Sequence, residues 1–233
     1  MYEKYIKRGF DFLLALFALV LLAPLLLILI IINTFMMRGN PFFTQIRPGR
    51  MDKNGEETLF KMIKFRTMTS QKDENGNYLP DAVRLTKWGN FLRSTSLDEL
   101  PELLNIIRGD MSFVGPRPQL VRDMLFMTPV QRQRHTVTPG LTGLAQCNGR
   151  NGITWERKFG YDLQYIETIS FFTDVKIMIK TIGKVFARDG IAEEGMATAE
   201  DFGDYLLRIN QVDSTQYREK LAQEKELLEN LSR

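Results

Sequence analysis

The 233-residue sequence contains only one cysteine, Cys147, and only one histidine, His135. A single cysteine excludes an internal disulfide and is typical of proteins from a reducing compartment. A single histidine argues against Ser-His catalysis and against zinc sites built from several histidines. His135 closes a polar run at residues 131–135 (QRQRH). This setting predicts a solvated side chain rather than a catalytic base.

The glycines do not follow the spacing of a phosphate-binding P-loop, so they predict no nucleotide-binding fold. Residues 139–143 (PGLTG) predict a Pro-Gly turn. Residues 148–152 (NGRNG) predict a second bend, which offers Arg150 and backbone N–H groups to an anion. Neither segment identifies a ligand by itself.

Charge is unevenly distributed along the chain, although the net charge is only +3. Residues 1–188 carry a balance of +9, whereas residues 189–233 carry a balance of −6. The body of the protein therefore suits an anionic partner, either a phosphate compound or an acidic membrane surface. Charge alone leaves both possibilities open.

An apolar run at residues 12–32 (FLLALFALVLLAPLLLILIII) is long enough for a helix of about 31 Å, which could cross a bilayer. Pro24, however, divides the run into halves that are too short to cross. Basic residues flank both ends, so the positive-inside rule places both in the cytoplasm. We therefore favour a re-entrant helix-break-helix over residues 1–38, with the break at Pro24. The flanking cations are Lys4, Lys7, Arg8, Arg38, Arg47 and Arg50.

Two aromatic and β-branched segments, residues 42–46 and 59–68, flank an Asn-Gly turn signal at residues 52–56. This pattern predicts a β-hairpin. Alternation along the second strand places Lys64 and Arg66 on the same face, which is either solvated or directed at an anion.

Residues 93–101 (RSTSLDELP) combine hydroxyl side chains with two adjacent carboxylates, Asp98 and Glu99, ahead of an apolar segment. The pattern predicts a helix start, with either Ser96 or Asp98 as the N-cap. Both acids would lie at the positive end of the helix dipole, which favours their ionised forms. These residues alone are compatible with ordinary helix punctuation or with a catalytic pair.

Residues 109–118 (GDMSFVGPRP) hold Arg117 between two prolines, which keeps its backbone extended. A rigidly presented guanidinium suits bidentate phosphate binding, although the same loop could simply face water.

Helices are predicted at residues 155–169, 170–188 and 215–231. The second of these is basic and amphipathic, which suits either a membrane interface or a solvated lysine face. The third is charge-rich and is either a dimer helix or a solvated one.

Four segments occur in a characteristic order: 64–68 (KFRTM), 92–101 (LRSTSLDELP), 109–118 and 139–143. With them the chain resembles the bacterial sugar transferase family of monotopic polyprenyl-phosphate phosphoglycosyl transferases. The resemblance covers residues 7–187 and implies an α/β fold, mostly helical with a small β-hairpin. It also implies a membrane helix broken at Pro24 and helices at the membrane interface. The catalytic domain, residues 39–188, would lie on the cytoplasmic face of the bacterial inner membrane.

The resemblance further implies that Asp98 attacks a UDP-sugar, releases UMP and passes the phosphosugar to polyprenyl (undecaprenyl) phosphate. Glu99 would orient the reactants or exchange protons, and Mg²⁺ would bridge Asp98 and the diphosphate. Arg117 matches a family diphosphate contact. The expected partners are the UDP-sugar, polyprenyl phosphate and membrane lipid, without nucleic acid. Further expected phosphate or nucleotide contacts are Lys64, Arg66, Arg93 and Arg150.

Some family members carry additional N-terminal transmembrane helices, so the chain resembles the minimal catalytic form. The acidic extension, residues 189–233, lies outside the shared motifs and receives no catalytic role, although its last helix could form a homodimer. Two other functions remain open: a non-enzymatic membrane module that recruits partners, and a hydrolase that releases the phosphosugar. The sequence does not identify the sugar.

Overall fold

A computed structural model describes residues 2–149, 152–187 and 200–231. The fold is mostly helical, with two small sheets of two strands each in these ranges. This confirms the expected fold class in its coarse form. The strands are β1 (Phe42–Met51), β2 (Glu57–Phe65), β3 (Ser112–Val114) and β4 (Gly140–Thr142). The α-helices are α1 (Arg8–Met36), α2 (Asp81–Arg84), α3 (Lys87–Ser94), α4 (Leu103–Arg108), α5 (Val121–Phe126), α6 (Pro129–Arg132), α7 (Leu144–Cys147), α8 (Trp155–Glu167), α9 (Phe171–Ala187), α10 (Phe202–Arg208) and α11 (Ser214–Leu231).

The predicted β-hairpin is confirmed. Strands β1 and β2 pair in antiparallel register, with Phe42 opposite Phe65, around a turn in which Gly55 adopts a φ of 83°. This positive φ is the reason that an Asn-Gly sequence suits the turn. The strand ends at Phe65, earlier than expected, so Arg66 lies beyond it.

Strands β3 and β4 form a parallel pair that the sequence did not predict. Each strand has only three residues, too few for a period-2 pattern to be recognised. Residues 139–143, predicted as a turn, instead supply β4.

Helix α1 runs through Pro24 as one uninterrupted helix. The predicted break into two separate helices is therefore not present; proline only removes the backbone hydrogen bond that the Val20 carbonyl would accept. Together with a preceding π-helical turn, the segment Tyr2–Met36 has 35 residues and is apolar and long enough to cross a membrane. Length and composition alone do not establish that it does so.

Both ends of α1 are bonded to the rest of the protein. Near its start, Lys7 lies 2.6 Å from the Asp174 carboxylate, and Asp11 accepts a 2.7 Å hydrogen bond from Ser112. Near its end, Asn33 donates to the Pro41 carbonyl at 2.6 Å and accepts from Trp88 at 2.9 Å. The helix therefore begins and ends against the same body of protein.

The predicted helices at residues 155–169, 170–188 and 215–231 correspond to α8, α9 and α11, which confirms their existence. Helix α11 packs on α5, where the rings of Tyr217 and Phe126 stack at 5.7 Å. Dimerisation through this helix and the boundaries drawn between the three segments of the chain stay predictions.

Candidate active site

The acidic pair lies on a short 3₁₀ helix, Leu97–Glu102, that leads directly into α4. Ser96 precedes it in the left-handed region, with a φ of 56° and no side-chain capping hydrogen bond. The predicted capping box is therefore wrong, although both acids do lie in the first turn. Residues three apart are eclipsed in a 3₁₀ helix, so Glu99 and Glu102 share one face.

That shared face meets Lys64 and Arg117. Lys64 Nζ lies 2.8 Å from Glu99 Oε1 and 3.1 Å from Glu102 Oε1. Arg117 donates to the same Glu99 oxygen at 2.5 Å. The hairpin, the 3₁₀ helix and the Pro-Arg-Pro loop thus meet at one ionic cluster that contains Lys64, Glu99 and Arg117. Their expected contacts with substrate stay predictions.

Glu102 is the member of the cluster that sequence reasoning missed. Its side chain is almost fully buried, and burial together with the Glu99 charge raises its pKa against the opposing effect of Lys64. The available signal was its i, i+3 spacing from Glu99, but that spacing is meaningful only in a 3₁₀ helix. An N-cap pattern in the sequence gives no reason to predict a 3₁₀ helix instead of an α-helix.

Glu99 is held as an anion by its partners. Burial would raise its pKa, but Arg117 and Lys64 outweigh burial and hold the pKa of Glu99 far below its usual range. For Lys64, burial would lower the pKa, and the charges of Glu102 and Glu99 raise it instead. Glu99, Lys64 and Arg117 therefore remain charged, and their ion pairs fix their geometry.

Asp98 has a different environment, although it is adjacent in sequence. Its side chain accepts no hydrogen bond from any residue that the structure describes, and the residue is 9% exposed. Burial, and then the neighbouring Glu99 charge, raise the pKa of Asp98 to about 6. The expectation that the helix dipole would favour ionisation is therefore wrong in its net effect: burial dominates. At neutral pH most molecules still carry an ionised, weakly stabilised Asp98 carboxylate.

The other expected contacts have different outcomes. Arg93 donates to Thr67 at 3.0 Å, and its charge acts on Asp98, so it belongs to the same region. Arg66 instead bonds within the loop that follows β2, to the Met68 carbonyl at 3.1 Å and to the Ser70 hydroxyl. These contacts do not include the cluster, and the role of Arg66 as a phosphate contact stays a prediction. Arg150 lies outside the described residues, so its role stays a prediction.

The backbone behind Arg117 is packed so closely that only glycine fits. Gly115 donates its N–H to the Thr142 carbonyl at 2.9 Å, which continues the pairing of β3 with β4. A Cβ placed on Gly143 would lie 2.2 Å from the Gly115 carbonyl oxygen, and one placed on Gly140 would lie 2.1 Å from the Gly115 nitrogen. The PGLTG segment therefore supports the Arg117 loop.

Two arginines, of which Arg134 is buried, bind the carbonyl groups of this loop. Arg134 donates to the Arg117 carbonyl at 2.6 Å, and Arg47 donates to the Pro118 carbonyl at 3.3 Å. Arg134 is itself paired with the Asp162 carboxylate at 2.8 Å. Sequence reasoning had assigned Arg47 to the membrane flank and had given Arg134 no role, because nothing in a linear pattern shows which backbone a guanidinium will reach.

His135 is buried, so the prediction of a solvated side chain is wrong. Only 3% of the residue is exposed, and its Nδ1 lies 3.1 Å from Glu57 Oε1. Burial lowers the pKa of His135, against the opposing effect of Glu57. It joins the segment Gln133–Thr136 to the hairpin and takes no part in the ionic cluster.

The donor set suits a magnesium ion only in combination with substrate. No group of three or more His, Cys, Asp or Glu side chains in residues 2–149, 152–187 and 200–231 is placed to hold a metal. Mg²⁺, however, often binds through one or two carboxylates, substrate phosphates and water. The Asp98 carboxylate meets that requirement, whereas Glu99 and Glu102 are already engaged with Lys64.

Comparison with known proteins gives a consistent result. Residues 2–188 match the family described as bacterial sugar transferase. The sugar transferase EpsL of Bacillus subtilis is 46% identical over 197 residues, which cover 84% of this chain and 95% of EpsL.

Two longer relatives also match. The UDP-galactose-lipid carrier transferase of Erwinia amylovora is 36% identical, over 81% of this chain and 42% of the relative. The UDP-glucose:undecaprenyl-phosphate glucose-1-phosphate transferase of Escherichia coli is 37% identical, over 79% and 41% respectively. The chain therefore spans about two fifths of these two proteins. The extent of the family match, with these relatives, shows that the chain belongs to the bacterial sugar transferase family and is an enzyme of the phosphoglycosyl transferase type.

Proposed function

We propose that the protein transfers a sugar 1-phosphate from a UDP-sugar to polyprenyl phosphate, with release of UMP and through a covalent intermediate on Asp98. The observation that carries this proposal is the contrast within the acidic pair. Glu99 is locked between two cations, whereas Asp98 is free of hydrogen bonds to the described residues and has a raised pKa. A nucleophile needs a carboxylate that is not held by cations, and within this pair Asp98 is the one without a bound cation.

In the first step, an Asp98 oxygen attacks the phosphorus that bears the sugar. The bond between this phosphorus and the oxygen that bridges to the uridine phosphate breaks, and UMP leaves with that oxygen. The diphosphate is anionic, so its approach to a carboxylate requires compensating charge. Arg117, whose side chain is 39% exposed, can contact the phosphates while it remains paired to Glu99.

In the second step, a phosphate oxygen of polyprenyl phosphate attacks the same phosphorus. The bond to Asp98 breaks, which yields polyprenyl diphosphate-sugar and regenerates the carboxylate. Arg93, close enough for its charge to act on Asp98, favours an anionic acceptor at this position. One nucleophile thus serves two bulky substrates in turn.

A Mg²⁺ ion held by Asp98 and the diphosphate would supply positive charge that offsets repulsion between the two anions. The chain's own residues fix the surrounding charges. Lys64 and Arg117 together offset the negative charge of Glu99 and Glu102, which reduces the repulsion between this face and the incoming phosphate. Glu99 therefore orients Arg117 and Lys64 rather than exchanging protons.

The bonding of both ends of α1 to the rest of the protein supports the proposal that the helix dips into the cytoplasmic side of the bacterial inner membrane and returns by bending at Pro24, without dividing into two helices. Both of its ends are fastened to the catalytic body, whereas a straight span would separate them. Its outer face carries exposed apolar side chains, among them Phe17 and Val20. Helix α9 adds exposed Phe172, Ile179 and Ile182 near its lysines, as expected for a helix in the interface.

The test uses purified protein and UDP-sugar labelled at the sugar-linked phosphate, in the absence of lipid acceptor. We expect label on the protein, its loss in Asp98→Asn, and its retention in the control Asp110→Asn. Addition of polyprenyl phosphate should chase the label into lipid. UDP-glucose and UDP-galactose are the first substrates to try, because two relatives carry these sugars in their names.

Each alternative function gives a different result in the same assay. Free phosphosugar released without a lipid product would indicate the hydrolase. Absence of turnover with every UDP-sugar would indicate the recruitment module. Transfer to lipid without trapped label, including under rapid quench, would refute the covalent route.

The membrane topology has a separate test. Cysteines introduced at the exposed positions Lys4 and Asn40 should both react only with reagents that reach the cytoplasm. The native Cys147 is buried and provides a silent background. Labelling of the two positions from opposite sides would refute the re-entrant arrangement.

A further inference from the structure

Helix α10 lies beyond residue 188, where the family match ends, yet it packs against the elements that hold Arg117. Phe202, at its start, is 3% exposed and belongs to a buried cluster with Met127, Trp155 and Phe159. Two separate paths of contacts lead from Phe202 to the Arg117 loop.

The first path runs through the backbone. The Phe202 N–H donates to Asp123 Oδ1 at 2.9 Å, and the Leu120 N–H donates to Asp123 Oδ2 at 3.2 Å. Leu120 is only three residues beyond Arg117 and is the N-cap of α5. The buried Asp123 carboxylate therefore ties the start of α10 to the exit of the Arg117 loop.

The second path runs through aromatic rings. The ring of Phe202 meets that of Phe159 edge-on, with centroids 5.0 Å apart. The guanidinium of Arg134 lies 5.8 Å from the Phe159 centroid and donates to the Arg117 carbonyl. Packing of Phe202 against the Phe159 ring therefore restricts the movement of the Arg134 side chain, which holds the Arg117 carbonyl in place.

We propose that α10 is a strap that positions Arg117 for diphosphate binding, with Phe202 and Asp123 as its positioning residues. The proposal rests on the function proposed above. It gives the acidic extension a role that the family motifs do not contain: its first helix completes the phosphate site from behind without touching substrate.

The experiment measures the binding of UDP to the full-length protein by calorimetry. Phe202→Leu keeps most of the apolar volume but removes the ring contact, and Asp123→Asn removes one of two accepted hydrogen bonds. We expect each to weaken UDP binding about tenfold, within the range for residues that act through a neighbour. Leu206→Ala is the matched control: it thins the same cluster at an aliphatic position and should leave UDP affinity within about twofold.

A double-mutant cycle with Arg117→Ala separates positioning from general damage. In that background Phe202→Leu should cause no further loss of UDP affinity, because the group that it positions is absent. The proposal would be refuted if Phe202→Leu lowered UDP affinity equally in the wild-type and Arg117→Ala backgrounds. It would also be refuted if Leu206→Ala lowered UDP affinity as much as Phe202→Leu does. If the wild-type protein bound no UDP, the proposed function itself would be refuted, and the strap with it.

Discussion

Asp98→Asn should abolish activity and, at the same time, make the protein more stable. Burial and the adjacent Glu99 charge raise the pKa of Asp98 to about 6. The folded state therefore penalises the ionised carboxylate relative to the unfolded chain, in which the pKa is ordinary. Asparagine has nearly the same shape and carries no charge, so the penalty disappears in the variant.

The size of the effect follows from the shift. A rise from the ordinary value of 3.8 to about 6 corresponds to an upper limit of about 3 kcal/mol in the free energy of unfolding. Because Asp98 and Glu99 interact strongly, part of this energy belongs to the pair, and we expect a gain of about 1–2 kcal/mol. For a chain of this size it raises Tm by about 2–8 °C.

Because the pKa of Asp98 is raised in the folded state, the stability difference between the wild-type protein and Asp98→Asn depends on pH. Below pH 4 both proteins are neutral at this position, so the two stabilities should nearly coincide. The advantage of Asp98→Asn should grow as pH rises from 4 to 6 and then stay constant. Thermal unfolding in one detergent across pH 4–8, with Asp110→Asn as control, measures it. A variant that is equally or less stable at pH 8 would refute the assignment of a destabilised, ionised Asp98.

Two further predictions concern the surroundings of Asp98. Glu99→Gln removes a charge that raises the pKa of Asp98, so the acid limb of the rate of adduct formation should move down by at least about one pH unit; an unmoved limb would contradict the coupling. Gly143→Ala places a Cβ 2.2 Å from the Gly115 carbonyl oxygen and should cost about 1–3 kcal/mol of stability together with most of the activity. Gly160→Ala, with no atom within 4 Å of the new Cβ, should be neutral or stabilising in the same unfolding and transfer assays.

The regular elements were predictable because their patterns are local. The hairpin has an Asn-Gly turn between two β-rich segments, and α8, α9 and α11 have helical spacing over many residues. The short parallel pair β3–β4 has no such signal. It forms because Gly115, Gly140 and Gly143 allow two backbones to approach, which is a property of the folded pair and not of either segment.

The candidate site was predictable to the extent that its charged residues lie in the sequence motifs. Lys64, Glu99 and Arg117 are adjacent in the structure, as expected. Strand alternation placed Arg66 beside Lys64 on β2, but the strand ends one residue before it. Its role as a phosphate contact stays a prediction. The direction of the shift in the Asp98 pKa could not be obtained from the sequence. Burial, which is the largest cause of the rise, depends on elements distant in the chain and outweighs the local helix dipole.

The packing of α1 joins the apolar helix directly to the candidate site. Ala15 is fully buried against Phe60 and Met62 of β2, and Leu29 is buried against Phe65 at the end of the same strand. The strand that presents Lys64 to the acidic pair therefore rests on the apolar helix over most of its length. In the membrane arrangement proposed above, a lipid-linked acceptor would hold its phosphate at the membrane surface, and Asp98 would have to remain at one height above the apolar phase. A strand bonded to the site on one side and packed on α1 on the other would fix that height, which an anchor joined by a flexible linker would not do.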